Sequence, residues 1–265
     1  MFELLFEHKV DVTQLFDYCL GLPQYETGQY GEWEVIEKPD RPHKAYFNGI
    51  VLVGQDNLPM LRKSGTDLWM GISAREIESQ IPHAHLMKHH GGRQAIVGLG
   101  MGFAVYCAWL NGADEIVVFE EDKEVVDLFY QTTEGIGDWD WVHEMMTVEL
   151  VDVRSDDWEH KDPFEYCYVD IWLNMAEDRC RADMSHIAKR IHAGNYSFWT
   201  QEVDFVAWCA EEAHKQNLRH DEFKCGESQW LEYTRKLDFP MLLPGVDLDA
   251  YCTASLTAAK LCYED

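Results

Sequence analysis

A glycine-rich turn between an apolar strand and an apolar helix is the feature that most constrains the fold of this chain. Residues 95–97 (AIV) form a short apolar run with β-branched side chains, typical of a buried parallel strand. Residues 98–102 (GLGMG) follow at once, and residues 103–110 are apolar on nearly every face, as expected of a helix packed on a sheet. Residues 115–119 (EIVVF) predict a second buried strand, with Glu120 at its carboxyl end. This order predicts an α/β unit.

The glycine turn has the chemistry of a nucleoside-binding site. Glycines let the backbone turn sharply and approach a ligand closely, and the first N–H groups of the next helix point at that ligand. A carboxylate on the neighbouring strand, about 20 residues further on, can accept both ribose hydroxyls, and Glu120 has this spacing. A dinucleotide fingerprint would need a glycine where the chain has Phe103. The alternative is a glycine turn that holds no ligand.

Further strands and helices are predicted after the second strand. Strands are expected over residues 147–151, ending at Asp152, over residues 164–169, ending at Asp170, and over residues 196–199. A crossover helix over residues 184–192 is expected to be capped by Gly194-Asn195, and a further helix is expected over residues 203–214. Residues 250–256 are interpreted as the final strand.

These residues resemble a known family over about residues 73–206. The G-L-G-M-G-F loop, the E-E-D-K-E-V-V segment and the strand ending in Asp170 resemble the class I S-adenosylmethionine (SAM)-dependent methyltransferase superfamily, in particular its spermidine-synthase-like branch. The resemblance implies a Rossmann-like, doubly wound, mostly parallel sheet with SAM as the cofactor. The family's ligand has no pyrophosphate, so the third glycine of the dinucleotide fingerprint is not required.

The resemblance also implies roles for individual residues. The cofactor's methionyl and ribose part would face Gly98, Leu99, Gly100, Met101 and Gly102. Its ribose diol would contact Glu120, its adenine would contact Asp152 and Val153, and Glu121 is a further candidate cofactor-binding residue. Asp170 would orient or deprotonate the acceptor, and Trp69, Trp172 and Asn174 would line the acceptor site. A turn or helix-cap role is the alternative for Asp152, and core packing is the alternative for the tryptophans.

The segment after Asp170 departs from the family patterns. Ile171-Trp172-Leu173 stands where spermidine synthases carry a proline motif, and where amino-methyltransferases acting on nucleic-acid bases carry (N/D)-P-P-(Y/F). The departure argues against an exocyclic-amine DNA methyltransferase. Aminopropyl transfer is therefore kept only as an alternative reaction.

Residues 1–72 are interpreted as an N-terminal β-meander module, ahead of a SAM-binding domain over residues 73–265. Residues 12–20 have helical spacing, and strands are expected over residues 33–36, 45–47 and 50–53. Asn48-Gly49 between the last two strands is typical of a type I′ hairpin. Ser73 and Glu76 have the spacing of a capping box that begins a helix, which Pro82 could interrupt.

The composition limits the ligands that are expected and indicates the cellular compartment. The formal net charge of −26 repels phosphate backbones and anionic membranes, so nucleic acid is not expected as a ligand. The charge favours a cationic or neutral small molecule, and a well-solvated acidic surface without a binding role is the alternative. The eight cysteines form no C-x-x-C pair, and no apolar run is long enough for a membrane span, so a reduced, cytoplasmic protein is expected. His85 and His89 share a helix face, but no third metal ligand is evident and no metal is expected. Homo-oligomerisation is left open.

Two classes of function are consistent with these features. The first is a SAM-dependent transferase that acts on a small or cationic acceptor, for example an amine, with Asp170 as candidate base. The second is a catalytically silent protein of the same fold, whose acidic surface binds basic partners or mimics nucleic acid. Acids clustered around the glycine turn would favour the first, and acids spread in rows would favour the second.

Overall fold

The computed structural model describes residues 11–39, 43–47, 51–52, 57–64, 68–174, 177, 179–218 and 224–264. Antiparallel strands come first in the chain, and an α/β region with a parallel sheet follows. The proposed domain boundary between residues 72 and 73 stays a prediction.

The N-terminal part contains a four-stranded antiparallel sheet and a two-stranded ladder. The four-stranded sheet has the order β1-β2-β5-β6, and β3 pairs with β4. The strands are β1 (Gly28–Tyr30), β2 (Trp33–Lys38), β3 (His43–Lys44), β4 (Val51–Leu52), β5 (Leu58–Lys63) and β6 (Leu68–Gly71).

Two N-terminal predictions are wrong. The predicted strand over residues 45–47 is a turn at residues 46–47, where the adjacent side chains of Tyr46 and Phe47 are both buried. A strand would point such neighbours to opposite faces. The predicted helix over residues 12–20 is reduced to one 3₁₀ turn, Val12–Gln14. The predicted Asn48-Gly49 turn lies outside the described residues.

The parallel sheet confirms the predicted Rossmann-like α/β fold class. Its five strands have the order β11-β10-β7-β8-β9, and every neighbouring pair is parallel. The central strands carry consecutive buried residues, as expected when both faces of a sheet are covered. The strands are β7 (Arg93–Val97), β8 (Glu115–Glu120), β9 (Met146–Leu150), β10 (His160–Val169) and β11 (Ile191–Phe198).

Helices connect and cover these strands. The predicted cap at Ser73 is present, since its Oγ accepts a hydrogen bond from the Glu76 N–H at 3.2 Å. The predicted interruption falls at Gln80, and Pro82 lies in the first turn of the next helix, where proline is tolerated. The helices are α1 (Ala74–Ser79), α2 (Ile81–His90), α3 (Phe103–Leu110), α4 (Lys123–Thr133), α5 (Trp139–Met145), α6 (Cys180–Ala188), α7 (Gln201–Lys215), α8 (Glu227–Lys236) and α9 (Leu248–Glu264).

Two predictions near the carboxyl end of the chain are corrected. Residues 250–256 belong to helix α9 rather than to a final strand, because burial at Tyr251, Ala254, Ser255 and Ala258 follows the helical period and alanine favours helices. Gly194-Asn195 does not cap a helix but lies inside β11, which begins five residues earlier than predicted, at Ile191 rather than at residue 196.

The strand order creates a switch point at β7. The chain moves from β7 to β8 and β9 on one side and then returns to place β10 and β11 on the other. In open α/β sheets, ligands bind outside the carboxyl ends of the strands at such a point. The loops after β7, β8 and β10 therefore meet at the position where a ligand site is expected.

Candidate functional site: a crevice at the carboxyl edge of the parallel sheet

A cavity of about 570 Å³ lies at the switch point, a size typical of small-molecule sites. Its floor is formed by the ends of β7, β8 and β10, and its opposite wall comes from β2, β5 and β6 of the N-terminal sheet. We call this cavity the crevice. Both sheets are needed to enclose it.

The glycine loop forms one side of the crevice through Gly98, Leu99 and Gly100. Gly98 has a φ of 92°, and a Cβ atom there would lie 2.1 Å from the backbone oxygen of Asp170. Gly100 has a φ of 51°, and a Cβ atom there would lie 2.6 Å from Met70 Sδ. Only glycine fits this backbone, which brings the loop against the β10 end and under the N-terminal sheet.

Met101 and Gly102 are placed differently from the rest of the loop. Met101 is buried and does not line the crevice, and Gly102 packs against the Phe129 ring. The Met101 carbonyl accepts a hydrogen bond from Tyr25 Oη at 2.8 Å. These two predicted cofactor residues therefore support the loop from behind in this structure.

Glu120 at the end of β8 faces the glycine loop. Its Oε2 accepts a hydrogen bond from the Leu99 N–H at 2.8 Å, and its Oε1 accepts one from the Asp122 N–H at 2.9 Å. Burial raises the pKa of this carboxyl, and the backbone hydrogen bonds oppose that shift. A carboxylate has about four acceptor positions, so two remain for hydroxyl donors of a ligand. Glu121 is exposed and also lines the crevice.

The N-terminal sheet is tied to this corner of the crevice. Trp33 Nε1 donates a hydrogen bond to Asp122 Oδ2 at 2.8 Å. The Trp33 ring also meets the Trp69 ring edge-on, with centroids 5.0 Å apart. Trp69, a predicted acceptor-site residue, lines the crevice and is 42% exposed. The N-terminal sheet thus holds an accessible indole at the crevice mouth.

Asp152 and Val153 follow β9 and line the crevice. Asp152 is exposed, and its Oδ1 accepts a hydrogen bond from the Arg154 N–H at 2.8 Å, which is the turn geometry considered as the alternative. Val153 is buried and offers an apolar surface. Arg154 also lines the crevice and donates to Asp183 Oδ2 at 3.3 Å.

Asp170 at the end of β10 lies beside the glycine loop. Its N–H donates to the Val97 carbonyl at 2.8 Å, and its Oδ2 accepts a hydrogen bond from Tyr168 Oη at 3.4 Å. Burial, followed by the negative charge of Glu76, raises the pKa of the Asp170 carboxyl well above its usual range. Neighbouring carboxyl groups that raise each other's pKa are common at functional sites.

Glu76 and Gln80 are crevice residues that the sequence analysis did not identify as functional. Glu76 appears in the sequence only as a capping-box residue, and no local signal marks Gln80. Gln80 Nε2 donates to Glu76 Oε1 at 3.1 Å and to Tyr168 Oη at 3.0 Å. Burial raises the pKa of Glu76 to about 7. Helix α1 thereby brings a second carboxyl group to the crevice, next to Asp170.

The other predicted acceptor residues differ in position. Trp172 lines the crevice but is 5% exposed, and its Nε1 donates to Asp183 Oδ2 at 3.0 Å. Asn174 is exposed and lies outside the crevice lining, with its N–H 3.3 Å from Glu177 Oε1. Trp199, which was not predicted, also lines the crevice.

The predicted histidine pair has structural partners. His85 Nε2 donates to the Pro244 carbonyl at 2.9 Å, and its Nδ1 accepts from the Asp17 N–H at 3.1 Å. Within the described ranges no cluster of three or more His, Cys, Asp or Glu side chains is arranged to hold a metal ion. In that same part of the chain, no helix combines the length and the apolar character needed to cross a membrane.

Acidic side chains outnumber basic ones around the crevice. Six acidic side chains line it, against three basic ones. The acids are Glu76, Glu120, Glu121, Asp122, Asp152 and Asp170, and the bases are Lys63, Arg75 and Arg154.

Comparison with known proteins finds similar solved structures at low identity. No family model and no curated protein matches the chain. A SAM-dependent methyltransferase from Mesorhizobium loti is 18% identical over 45% of this chain and 52% of its own, with a TM-score of 0.33. A putative RNA methyltransferase from Pyrococcus horikoshii is 18% identical over 47% and 57%, with a TM-score of 0.35. A putative SAM-dependent methyltransferase from Methanococcus maripaludis is 13% identical over 59% and 67%, with a TM-score of 0.34.

All three structural neighbours are described as methyltransferases or putative methyltransferases, two of them as SAM-dependent, and none of the three is described as a spermidine synthase. The match spans little more than half the length of the first two. Likeness at this level does not define what the present chain binds, so its function depends on the geometry of the crevice.

Proposed function

We propose that the crevice binds S-adenosylmethionine and that the protein transfers the methyl group to a small or cationic acceptor. The observation that carries this proposal is the position of Glu120. Its carboxylate stands at the end of β8, bonded to the Leu99 N–H of the glycine loop at 2.8 Å, inside the crevice. A carboxylate in this place is suited to accept the two hydroxyls of a ribose.

The residues fit a nucleoside better than a dinucleotide. The loop reaches the crevice through Gly98, Leu99 and Gly100, and Phe103 occupies the position of the third dinucleotide glycine. Phe103 is buried in the first turn of α3 and lines the crevice, so a large side chain stands where the dinucleotide fingerprint requires glycine. A pyrophosphate would also add negative charge to a crevice that is already lined by six acids.

Bound SAM would supply an electrophilic methyl group on a sulfonium centre. In this proposal Gly98, Leu99 and Gly100 position the methionyl and ribose part, Glu120 and Glu121 bind the diol, and Asp152 and Val153 contact the adenine. Asp170 orients the acceptor and takes its proton. General-base assistance contributes roughly 10²- to 10⁴-fold in rate, and alignment of the reactants contributes much of the rest.

The excess of acidic over basic side chains in the crevice suits a small cationic acceptor. A catalytically silent, acidic partner-binding protein is the alternative, and nucleoside binding separates the two. Aminopropyl transfer from decarboxylated SAM is a variant of the same proposal, and that donor belongs in the same binding assay.

Calorimetric titration with SAM, S-adenosylhomocysteine and methylthioadenosine tests the proposal. We expect Glu120→Ala to weaken binding by about 10- to 100-fold, because hydrogen bonds to a charged group each contribute about 1.5–3 kcal/mol. Glu115→Ala is the matched control, since Glu115 lies at the opposite end of the same strand and pairs with Arg93. If the wild-type protein binds none of the three nucleosides, the proposal is wrong.

A further inference from the structure

We propose that the acceptor is a monoamine with an apolar body, whose ammonium group is bound by Glu76, Gln80 and Asp170. This inference rests on the proposed function, because it identifies the acceptor for that same crevice. Together with Tyr168, these residues form what we call the crevice cluster. The inference adds two binding residues, Glu76 of helix α1 and Gln80 between α1 and α2, and limits the acceptor to one class of amine.

Gln80 carries the observation that points to a ligand. Its side chain is 2% exposed and lines the crevice, and both of its amide hydrogens have acceptors in Glu76 and Tyr168. Its Oε1 is buried and has no hydrogen-bond partner among the described residues. A buried unpaired acceptor costs about 1–3 kcal/mol, so a donor from a ligand would be strongly favoured there.

The cluster matches an ammonium group in number and in charge. An ammonium has three N–H donors and no acceptor. Three residues that line the crevice supply acceptors, which are Gln80 Oε1 and the carboxyl groups of Glu76 and Asp170, and one chain of hydrogen bonds through Gln80 Nε2 and Tyr168 Oη links the three residues. Burial and the charge of Glu76 make Asp170 hard to ionise in the protein alone. A bound cation would remove that penalty, because an opposite charge favours the ionised carboxylate.

The mouth of the crevice is apolar. Leu68, Trp69 and Leu173 line it and are 45%, 42% and 48% exposed, respectively. Large apolar side chains that stay exposed around a cavity are typical of a surface that a ligand covers. An apolar body attached to the ammonium group would fill this part of the crevice.

A second ammonium group would be disfavoured near the mouth. Lys63 lies over the Trp33 ring at 4.9 Å from the centroid, and Trp33 contacts Trp69. Lys63 also lies 3.7 Å from Glu32 Oε2, which offsets part of its positive charge. Leu68 and Leu173 offer no acceptor to a second ammonium group, so the apolar mouth favours a monoamine over a linear diamine.

These groups account for each bond and for the proton in the proposed methyl transfer. The ammonium gives one proton to the carboxylate of Asp170, with Glu76 as the neighbouring acceptor, and the freed nitrogen lone pair forms the new N–C bond. The C–S bond breaks with its electron pair left on sulfur, which yields S-adenosylhomocysteine and a methylated ammonium product. The proton then leaves from the carboxyl group to solvent.

Three small probes test the inference on the full chain by calorimetry, with and without S-adenosylhomocysteine. They are 2-phenylethylamine, its neutral counterpart 2-phenylethanol, and the diamine 1,4-diaminobutane. We expect 2-phenylethylamine to bind at least about 10-fold more tightly than either of the others, as hydrogen bonds between charged groups allow. Equal binding of 2-phenylethanol, or tighter binding of the diamine, would overturn the inference.

Substitutions in the crevice cluster test whether its residues bind the amine. Glu76→Gln and Gln80→Leu should each weaken 2-phenylethylamine binding by about 10-fold or more and leave 2-phenylethanol binding unchanged, which reports that the crevice is intact. Glu115→Gln, which removes one distant carboxylate, should change neither. Unchanged amine binding in both cluster variants would refute the inference.

Failure of this inference is distinguishable from failure of the proposed function. Nucleoside binding, measured separately, decides whether the crevice holds SAM. A protein that binds SAM but binds 2-phenylethylamine in neither condition refutes the monoamine inference alone. A protein that binds the amine but no nucleoside retains the ammonium site and loses the methyltransferase proposal.

Discussion

The crevice cluster and a second buried acid cluster carry the same kind of group in different surroundings. The second, which we call the core cluster, consists of Glu202 of α7, Tyr46 and Tyr251. Burial raises the pKa of Glu202 to about 7, as it does for Glu76. Each cluster therefore contains a glutamate with a raised pKa, and a raised pKa by itself does not distinguish a binding site from a structural cluster.

The two clusters differ in their hydrogen-bond partners and in whether a cavity lies beside them. Glu202 is fully buried, accepts a hydrogen bond from Tyr46 Oη, and lies 3.5 Å from Tyr251 Oη. No described cavity reaches it. In the crevice cluster, by contrast, Gln80 Oε1 is left without a partner beside a cavity of about 570 Å³. Polar groups whose hydrogen bonds are all made within the protein fix the fold, whereas a polar group without a partner beside a cavity is available to a ligand.

The largest expected difference between the clusters is in rate. Asp170→Asn should lower the rate of S-adenosylhomocysteine formation with 2-phenylethylamine by about 10²- to 10⁴-fold, because it removes the group that takes the proton. Glu202→Gln should leave that rate within about twofold, because Glu202 does not face the crevice. Coupled detection of S-adenosylhomocysteine measures both. A Glu202→Gln loss as large as that of Asp170→Asn would remove the distinction between the clusters.

The next effect is the pH dependence of stability. Glu202 has a reference pKa of 4.5 and a folded pKa of about 7, so between these values only the unfolded chain ionises and the folded state loses stability as pH rises. The loss is about 3 kcal/mol in total, at about 1.4 kcal/mol per pH unit. Glu202→Gln has no proton to lose, so its stability relative to wild type should rise by that amount from about pH 4.5 to pH 7.

Urea unfolding at three pH values across this window measures the effect. Glu76→Gln should show a change of the same sign and smaller size, because the crevice admits solvent to Glu76 and screens its charge. Parallel pH curves for the wild type and Glu202→Gln would contradict the assignment of Glu202 as a protonated structural acid at neutral pH.

The smallest expected difference is in the stability lost when Tyr46 or Tyr168 is replaced by phenylalanine. Tyr46→Phe should destabilise the protein by about 1–3 kcal/mol, because it leaves a fully buried carboxyl oxygen without its donor. Tyr168→Phe should cost about 1 kcal/mol or less, because Gln80 keeps its bond to Glu76 and the bond to Asp170 is long, at 3.4 Å. Denaturant midpoints compare the variants. A larger loss for Tyr168→Phe would mean that the crevice cluster also stabilises the fold.

The sequence analysis was most successful where the signals were local. The glycine turn, the buried strands on either side of it and Glu120 depend on residue type and spacing within one short stretch, and β7, α3 and β8 form as predicted. It failed where packing across the chain decides. Residues 250–256 contain short apolar and β-branched runs, but α9 forms because its buried face packs on α7 and α8, as in the ring contact between Tyr251 and Trp230.

The sequence by itself determined the α/β class and the nucleoside-like turn, because glycine conformations, apolar runs and carboxylates at strand ends act over a few residues. Only the tertiary structure decided which polar groups meet. Glu76 in the sequence is the last residue of a capping box, and Gln80 is an ordinary residue between two helices. Their juxtaposition with Asp170 and Tyr168 exists because the junction of α1 and α2 packs against the end of β10, and such long-range packing has no local signature.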